Sequence, residues 1–481
     1  MPFFISSQIV LGLACVFLRG LPASQRAAGL RFLAVLGGVS SVVLFLTRDV
    51  GSSWSTMEFA PERSGLVAVA TFCSWLLVIA TSDGAGARWD LGALVSAAAT
   101  ALAVLASSRW VVPVLLFWIA LSAASLVSSW KGSGAHLALV TALADACFIV
   151  GLTGHAVATE SWDLPAGLAG EWSYPLIAAI VLRAGVIPMT GLGGILGRPE
   201  GATAPLLVGS AFAVTPIVSS GDGIAVALPL LLLAAGAVAW CLVTDKPVLS
   251  VLAVWPVAAM LAIVWIDRAA LGKGAATAAI AVALLSLWPF ASGRAQSERG
   301  LILAALPATI GFGAIVAGAG ASFDRAIGAT SVVAAAPWDA FAALLPVVLA
   351  GGVALAATIG KRVELEDFRP EGVLATWALA AAAVATGLSP GPGLGFGSGT
   401  GSQNRAVWLF AIAILVGVAA TRLAPRGIVP LTSPRPAPSP GVIDLAPGVS
   451  KLIARVSAGV FALGAGVVGW LTYQGLSVGF L

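Results

Sequence analysis

The sequence predicts an all-α protein that crosses a membrane many times. Hydrophobic residues make up 59 % of the 481 residues, charged residues only 10 %, and the mean hydropathy is +1.01. Soluble domains carry about 25 % charged residues, so this composition excludes a water-soluble fold. It also excludes disorder, which requires low hydrophobicity. The formal charge of +4 comes from scattered basic residues, which argues against binding of nucleic acid.

Long apolar runs indicate how many helices span the membrane. A helix needs about 20 mainly apolar residues to cross a bilayer, whereas the strands of a membrane barrel would show short alternating runs. By this criterion we expect about 14–16 transmembrane helices. The sixteen candidate spans are 5–18, 28–47, 64–82, 90–107, 110–129, 136–155, 174–195, 203–220, 223–243, 248–266, 274–290, 300–320, 338–359, 372–388, 406–423 and 456–476.

A proline-rich segment separates the last span from the others. Residues 424–450 contain seven prolines, a composition typical of an extended linker. We therefore expect N-terminal helices at 1–107, a first bundle at 108–243 and a second bundle at 244–423, followed by the linker and a C-terminal helix at 451–481.

The distribution of basic residues predicts the orientation of the chain. With sixteen helices, the odd-numbered loops and the span ends next to them contain seventeen Lys and Arg residues, and the even-numbered loops contain seven. Cytoplasmic loops are enriched in Lys and Arg, so the amino terminus is expected outside. No basic segment precedes the first apolar run, and we expect no cleavable signal peptide. These features predict a multi-pass protein of a bacterial inner membrane.

Two candidate spans carry Pro, Thr and Gly at corresponding positions in mid-membrane. Proline removes a backbone donor and glycine weakens a helix, so both spans are expected to be broken. Paired broken helices in two inverted repeats are typical of transporters. Gly and Pro are also simply common in membrane helices, and both interpretations stay open. The residues are Pro188, Thr190 and Gly191 in one span and Pro307, Thr309 and Gly311 in the other.

Ionisable residues within the spans are the candidates for an ion path, because a charge in the bilayer is costly and usually functional. Asp145 and Arg183 lie inside candidate spans, and Asp245 and Lys246 lie near the end of another. Asp145 and Arg183 could pair across two helices, either as a static contact or as a gate. Arginine stays protonated at physiological pH, so Arg183 cannot itself pass on a proton.

The cysteines and histidines argue against a metal site, a cofactor or a disulfide framework. Each cysteine lies alone in a separate apolar run, and the chain has only two histidines. Buried thiols that act as small hydrophobic groups are the expected role. The residues are Cys15, Cys73, Cys147, Cys241, His136 and His155. We therefore expect neither a metal ion nor a catalytic residue.

Four stretches follow the order of motifs in one membrane-protein family. Residues 116–125 are similar to its F-W-E-L-T-S-L-S run and 141–148 to its N-R-x-G-D-x-G-F run, and 182–214 keep a proline and an E-G-x-T frame. Residues 305–312 match its A-L-P-x-x-x-G-F run. The chain thus resembles the antiporter-like membrane subunits of complex I, the Mrp-type cation antiporters and the membrane hydrogenases.

This resemblance implies a membrane subunit of a multi-subunit, complex I-like assembly that translocates protons or other cations. Its implied partners are other integral membrane subunits, a peripheral enzyme subunit and the lipid bilayer. As an enzyme, the chain would at most be a non-catalytic subunit of a complex similar to NADH:quinone oxidoreductase.

The family's proton path uses a glutamate, a lysine, a histidine and a second lysine. The resemblance places these at Ile119, Arg183, Ser210 and approximately Ile315. Only Arg183 keeps a charge, so the usual relay would be interrupted in this chain. The alternative hypothesis is therefore a structural anchor or carrier for a soluble enzyme, such as the membrane half of an inorganic-carbon uptake system. An unrelated transporter or polytopic membrane enzyme is a more distant third hypothesis.

Overall fold

The computed structural model describes mainly the first 287 residues. The described residues are four two-residue strands and the ranges 1–48, 60–81, 88–129, 134–186, 192–218, 226–234, 249–266 and 271–287. Within these ranges, residues 166, 169, 197 and 198 are not described. The expected linker, apart from a two-residue strand at 429–430, and the spans from residue 300 onward lie outside the described residues. So do Pro188, Thr190, Gly191, Asp245, Lys246, Pro307, Thr309, Gly311 and Ile315.

The described part of the chain is helical, apart from two very short strand pairs. The helices are α1 Pro2–Phe17, α2 Ala23–Leu46, α3 Pro61–Thr81, α4 Trp89–Ser107, α5 Val111–Ser129, α6 Gly134–Thr159, α7 Ser173–Arg183, α8 Leu192–Ile195, α9 Ala204–Val214, α10 226–234, α11 Leu249–Ile266 and α12 Leu271–Ser286. Turns of 3-10 helix lie at Leu18–Gly20, Pro199–Thr203 and Thr215–Ile217. Strand β1 Ser53–Trp54 pairs antiparallel with β2 Met57–Glu58, and β3 Val363–Glu364 pairs parallel with β4 Val429–Pro430.

Several of these helices are long and apolar enough to cross a bilayer. Among the described residues five qualify, namely Pro2–Gly20, Ala23–Leu46, Pro61–Thr81, Trp89–Ser107 and Leu137–Thr159. The prediction of an all-α, polytopic membrane protein is therefore confirmed. The expected total of 14–16 spans stays a prediction.

The chain divides into two compact units. The first comprises Met1–Gly185, Met189–Ser219 and Pro436–Leu481, and the second comprises Val186–Pro188 and Ser220–Arg435. Helices α1–α9 belong to the first unit and α10–α12 to the second.

Helix α9 lies at the centre of the first unit. All eleven of its residues are buried, and it packs against α3, α4, α5 and α7. A helix that is apolar on every side is expected to be surrounded by protein. Gly209 allows the close packing, because a Cβ there would lie 3.2 Å from Ala70 and 3.3 Å from Leu102.

Helices α1 and α2 form an outer layer of the same unit. Only 22 % and 28 % of their spanning windows are buried, against 67 % and 72 % for α3 and α4. Their exposed side chains are large and apolar, including Phe3, Phe17, Phe32 and Leu46. These faces are suited to lipid or to another membrane subunit.

A buried polar network fixes this outer layer to α3 and α4. The Gln8 amide donates to Ser40 Oγ at 2.8 Å and accepts from Trp75 Nε1 at 3.2 Å. The Ser96 hydroxyl donates to the backbone carbonyl oxygen of Gln8. Gly37 lies directly against the Trp75 indole, where a Cβ would overlap with the ring. Hydrogen bonds between helices are typical of packing within membranes.

In the second unit, α11 and α12 pack against each other. Gly274 on α12 permits a close approach, because a Cβ there would lie 2.9 Å from Val264 Cγ2. Pro256 lies inside α11 and removes one helical hydrogen bond. Both helices agree with the spans predicted at 248–266 and 274–290.

Candidate functional site

Helix α7 ends inside the candidate site. Its last residue is Arg183, and Gly185 follows with a positive φ of 71°. Glycine tolerates this left-handed conformation and commonly terminates helices. The Ala184 and Gly185 amides donate to the carbonyl oxygens of Ile180 and Leu182, which completes the helix end. The helix therefore ends before Pro188, although the sequence predicts one span over 174–195 with its break at that proline.

Three helices bring the polar side chains of the site together. Trp118 and Ser122 lie four residues apart on α5, so they share one helix face. Asp145 lies in the middle of α6, and Arg183 at the end of α7. Helix α6 packs against both α5 and α7, which places the carboxylate next to the guanidinium.

The Ser122 hydroxyl bridges the two charged groups. Arg183 Nη1 donates to Ser122 Oγ, and Ser122 Oγ in turn donates to Asp145 Oδ1 at 2.8 Å. Arg183 Nη2 donates to the Trp118 carbonyl oxygen at 2.7 Å and lies 3.5 Å from Asp145 Oδ1. Charge-assisted hydrogen bonds are normally about 2.7–2.9 Å long, so the direct ion pair is loose and the serine carries part of the contact.

Aromatic rings complete the surroundings of the guanidinium. Arg183 Cζ lies 3.9 Å from the centroid of the Trp118 ring. That ring stacks on Phe148 of α6 with centroids 4.1 Å apart and planes at 14°. A cation over a tryptophan face gains about 2 kcal/mol when it is desolvated. The π face therefore stabilises the charge of Arg183 in addition to the carboxylate.

The whole cluster is shielded from the surface. Asp145 is 6 % exposed and Arg183 is 4 % exposed, while Ser122 and Trp118 are fully buried. Burying one of these charges alone would cost several kcal/mol. The structure thus brings together Asp145 and Arg183, two of the four predicted ion-path residues. Their role in an ion path stays a prediction.

The other relay positions that the resemblance predicts carry no titratable side chain in the described region. Ile119, next to Trp118 on α5, is an apolar residue with 9 % exposure. Ser210 is buried in α9 and donates to the Leu207 carbonyl of its own helix at 2.6 Å. Neither position offers a group that exchanges a proton near neutral pH.

A small cavity of about 10 Å³ is lined in part by Arg183. A volume of this size is about the minimum that holds one water molecule. The lining is apolar except for Thr141 and Arg183. Its residues are Leu137, Val140, Thr141, Leu182, Arg183, Leu192 and Leu207.

A second ion-pair cluster joins α4 to the segment before α9. Arg88 Nη1 lies 2.6 Å from Glu200 Oε1, and Arg88 Nη2 lies 2.8 Å from Asp90 Oδ2. Glu200 is the glutamate of the E-G-x-T frame. Sequence reasoning did not identify Arg88, Trp118 or Ser122. The polar Ser122 within an apolar span was the one available signal.

The fold is similar to that of one chain in a solved protein complex. A chain of the Mrp complex from Dietzia sp. aligns with 99 % of this chain at a TM-score of 0.58 and 12 % sequence identity. This chain spans 60 % of the length of that chain. No protein-family model matches the sequence, and no curated protein is significantly similar to it. The predicted resemblance to antiporter-like membrane subunits is thus confirmed for the fold.

Proposed function

We propose that this chain is an antiporter-like membrane subunit of a multi-subunit, complex I-like assembly that translocates protons or other cations. We further propose that its own proton path is interrupted. The fold similarity supports the first statement. The observation that carries the second is Arg183, which the resemblance places where the family has a titratable lysine.

The contacts of Arg183 favour a static role. Proton transfer requires a group that gains and loses its proton at the operating pH, and an arginine stays protonated. The guanidinium is engaged by Ser122, the Trp118 carbonyl oxygen and Asp145 at once. It therefore connects α5, α6 and α7 rather than moving between two partners.

The second candidate function is a structural membrane anchor or carrier for a soluble enzyme. Ile119 and Ser210 favour it, because both relay positions are buried without a titratable group. An inorganic-carbon uptake system with a soluble zinc enzyme is one example of such an arrangement.

The partners and the location follow from the same proposal. The exposed apolar faces of α1 and α2 fit contacts with lipid and with other integral membrane subunits. The Lys and Arg distribution supports an outside amino terminus in a bacterial inner membrane. A peripheral enzyme subunit would then bind to the loops between the spans, at either surface of the membrane.

Purification of the native complex in mild detergent, with every subunit identified by mass spectrometry, tests the proposal. Further antiporter-like subunits together with iron–sulfur or nickel proteins would support a redox-driven assembly. A single soluble zinc protein would instead support the carrier function. A chain that purifies alone would contradict both.

A further inference from the structure

One polar atom of the Asp145–Arg183 pair, Arg183 Nε, remains unpaired. Arg183 Nε is buried among the described residues and has no hydrogen-bond partner in the protein. Folded proteins leave few buried polar atoms unpaired, and internal water commonly satisfies such groups. The unpaired Nε–H of Arg183 therefore points to a ligand that can accept a hydrogen bond.

The cavity beside Arg183 is the place for that ligand. Arg183 and Thr141 both line the cavity. Arg183 carries the unpaired Nε–H donor, and the hydroxyl group of Thr141 can donate or accept. The volume of about 10 Å³ is too small for an organic molecule and about right for one water. The nearby carboxylate compensates the charge of Arg183, so the site does not require an anion.

We propose that this cavity binds an ordered water molecule that accepts a hydrogen bond from Arg183 and contacts the Thr141 hydroxyl. This site gives the buried ion pair an internal solvent contact on the α6–α7 side. The proposal rests on the geometry of the first unit and holds whether or not the chain transports ions.

X-ray radiolytic footprinting of the purified full chain tests the proposal. A pulse produces hydroxyl radicals from water bound inside the protein, and these oxidise the adjacent side chain. Leu206 and Leu207 provide a matched pair on α9, because both are buried and only Leu207 lines the cavity. We expect oxidation at Leu207 and only background at Leu206. A bound water molecule exchanges slowly with the solvent. After rapid mixing with isotopically labelled water, oxidised Leu207 should therefore still carry the original oxygen isotope.

Two variants on α6 locate the water. Val140 lines the cavity, and the larger side chain of Val140→Leu fills part of its volume. This variant should reduce oxidation of Leu207 to the level of Leu206. Val150→Leu makes the same change at a position that is 53 % exposed, and should leave the oxidation unchanged. Equal labelling of the two leucines in the unmodified chain would overturn the proposal, and so would labelling of Leu207 that survives Val140→Leu. Neither result depends on which subunits co-purify.

Discussion

Arg183 Nη2 lies 3.5 Å from Asp145 Oδ1, but only 2.7 Å from the backbone carbonyl oxygen of Trp118. The guanidinium is thus held more closely by α5 than by its counter-charge on α6. Electrostatic attraction keeps the carboxylate nearby, while the hydrogen bonds determine where the cation lies.

Removing the carboxylate should leave an uncompensated buried cation. We expect Asp145→Ala to lower the free energy of unfolding by about 3–5 kcal/mol, the usual cost of breaking one partner of a buried pair. Thermal unfolding of the purified chain in detergent measures the effect. Asp163→Ala, which removes an exposed carboxylate, is the control and should unfold near the original temperature. An equal loss in both variants would contradict a buried, paired Asp145.

Replacing both charges by apolar groups of similar size should be tolerated. We expect the double variant Asp145→Leu with Arg183→Met to recover most of the stability that Asp145→Ala loses, because it leaves no unpaired charge.

If the proton path of this chain is interrupted, pumping by membrane vesicles that contain this double variant should be unchanged per assembled complex. Loss of pumping with an intact complex would show that the pair belongs to the ion path.

The bridging hydroxyl should contribute more than an ordinary buried serine. Ser122→Ala removes a partner from both Arg183 and Asp145, which should cost about 1–3 kcal/mol. Ser210→Ala removes a hydroxyl that bonds only its own helix, and should cost less than about 1 kcal/mol. The comparison requires both unfolding curves in the same detergent. A larger loss for the α9 variant would show that the bridge contributes little.

Close packing of α2 on α3 should depend on Gly37. A Cβ at this position would overlap with the Trp75 indole, so Gly37→Ala should destabilise the protein by about 1–3 kcal/mol through overpacking. At the neighbouring Gly38, a Cβ would meet Phe72 at an ordinary 3.8 Å. Gly38→Ala should therefore be neutral or slightly stabilising, because alanine favours the helix. Thermal unfolding again provides the measurement, and similar losses at both glycines would argue against this packing.

Much of the described helical structure could be predicted from the apolar runs. The span predicted at 64–82 is α3 Pro61–Thr81, and the other long helices agree similarly. The helix ends around Arg183 and Val214 were harder to predict, because hydrophobicity continues past both positions. Gly185 and the 3-10 turn at Thr215–Ile217 end these helices by local backbone geometry.

Some residues of the candidate site could be predicted from the sequence, and others could not. Asp145 and Arg183 could be identified because a charge within an apolar span is costly. Trp118 and Ser122 are ordinary residues in a membrane helix, and only the packing of α6 against α5 and α7 shows that they contact the pair. Sequence gives the cost of a buried charge, whereas tertiary structure gives the partners that offset it.

The shortness of α7 has a consequence for the response to membrane voltage. Eleven residues extend about 16 Å, roughly half of a hydrocarbon core of about 30 Å, so a helix of this length that begins at a membrane surface would end with Arg183 inside the electric field. A single charge crossing that field exchanges about 2.3 kcal/mol per 100 mV. Because Asp145 neutralises Arg183, the field does almost no work when the two move together. The ion pair therefore makes this part of the protein insensitive to voltage, and loss of the carboxylate alone would give α7 a gating charge.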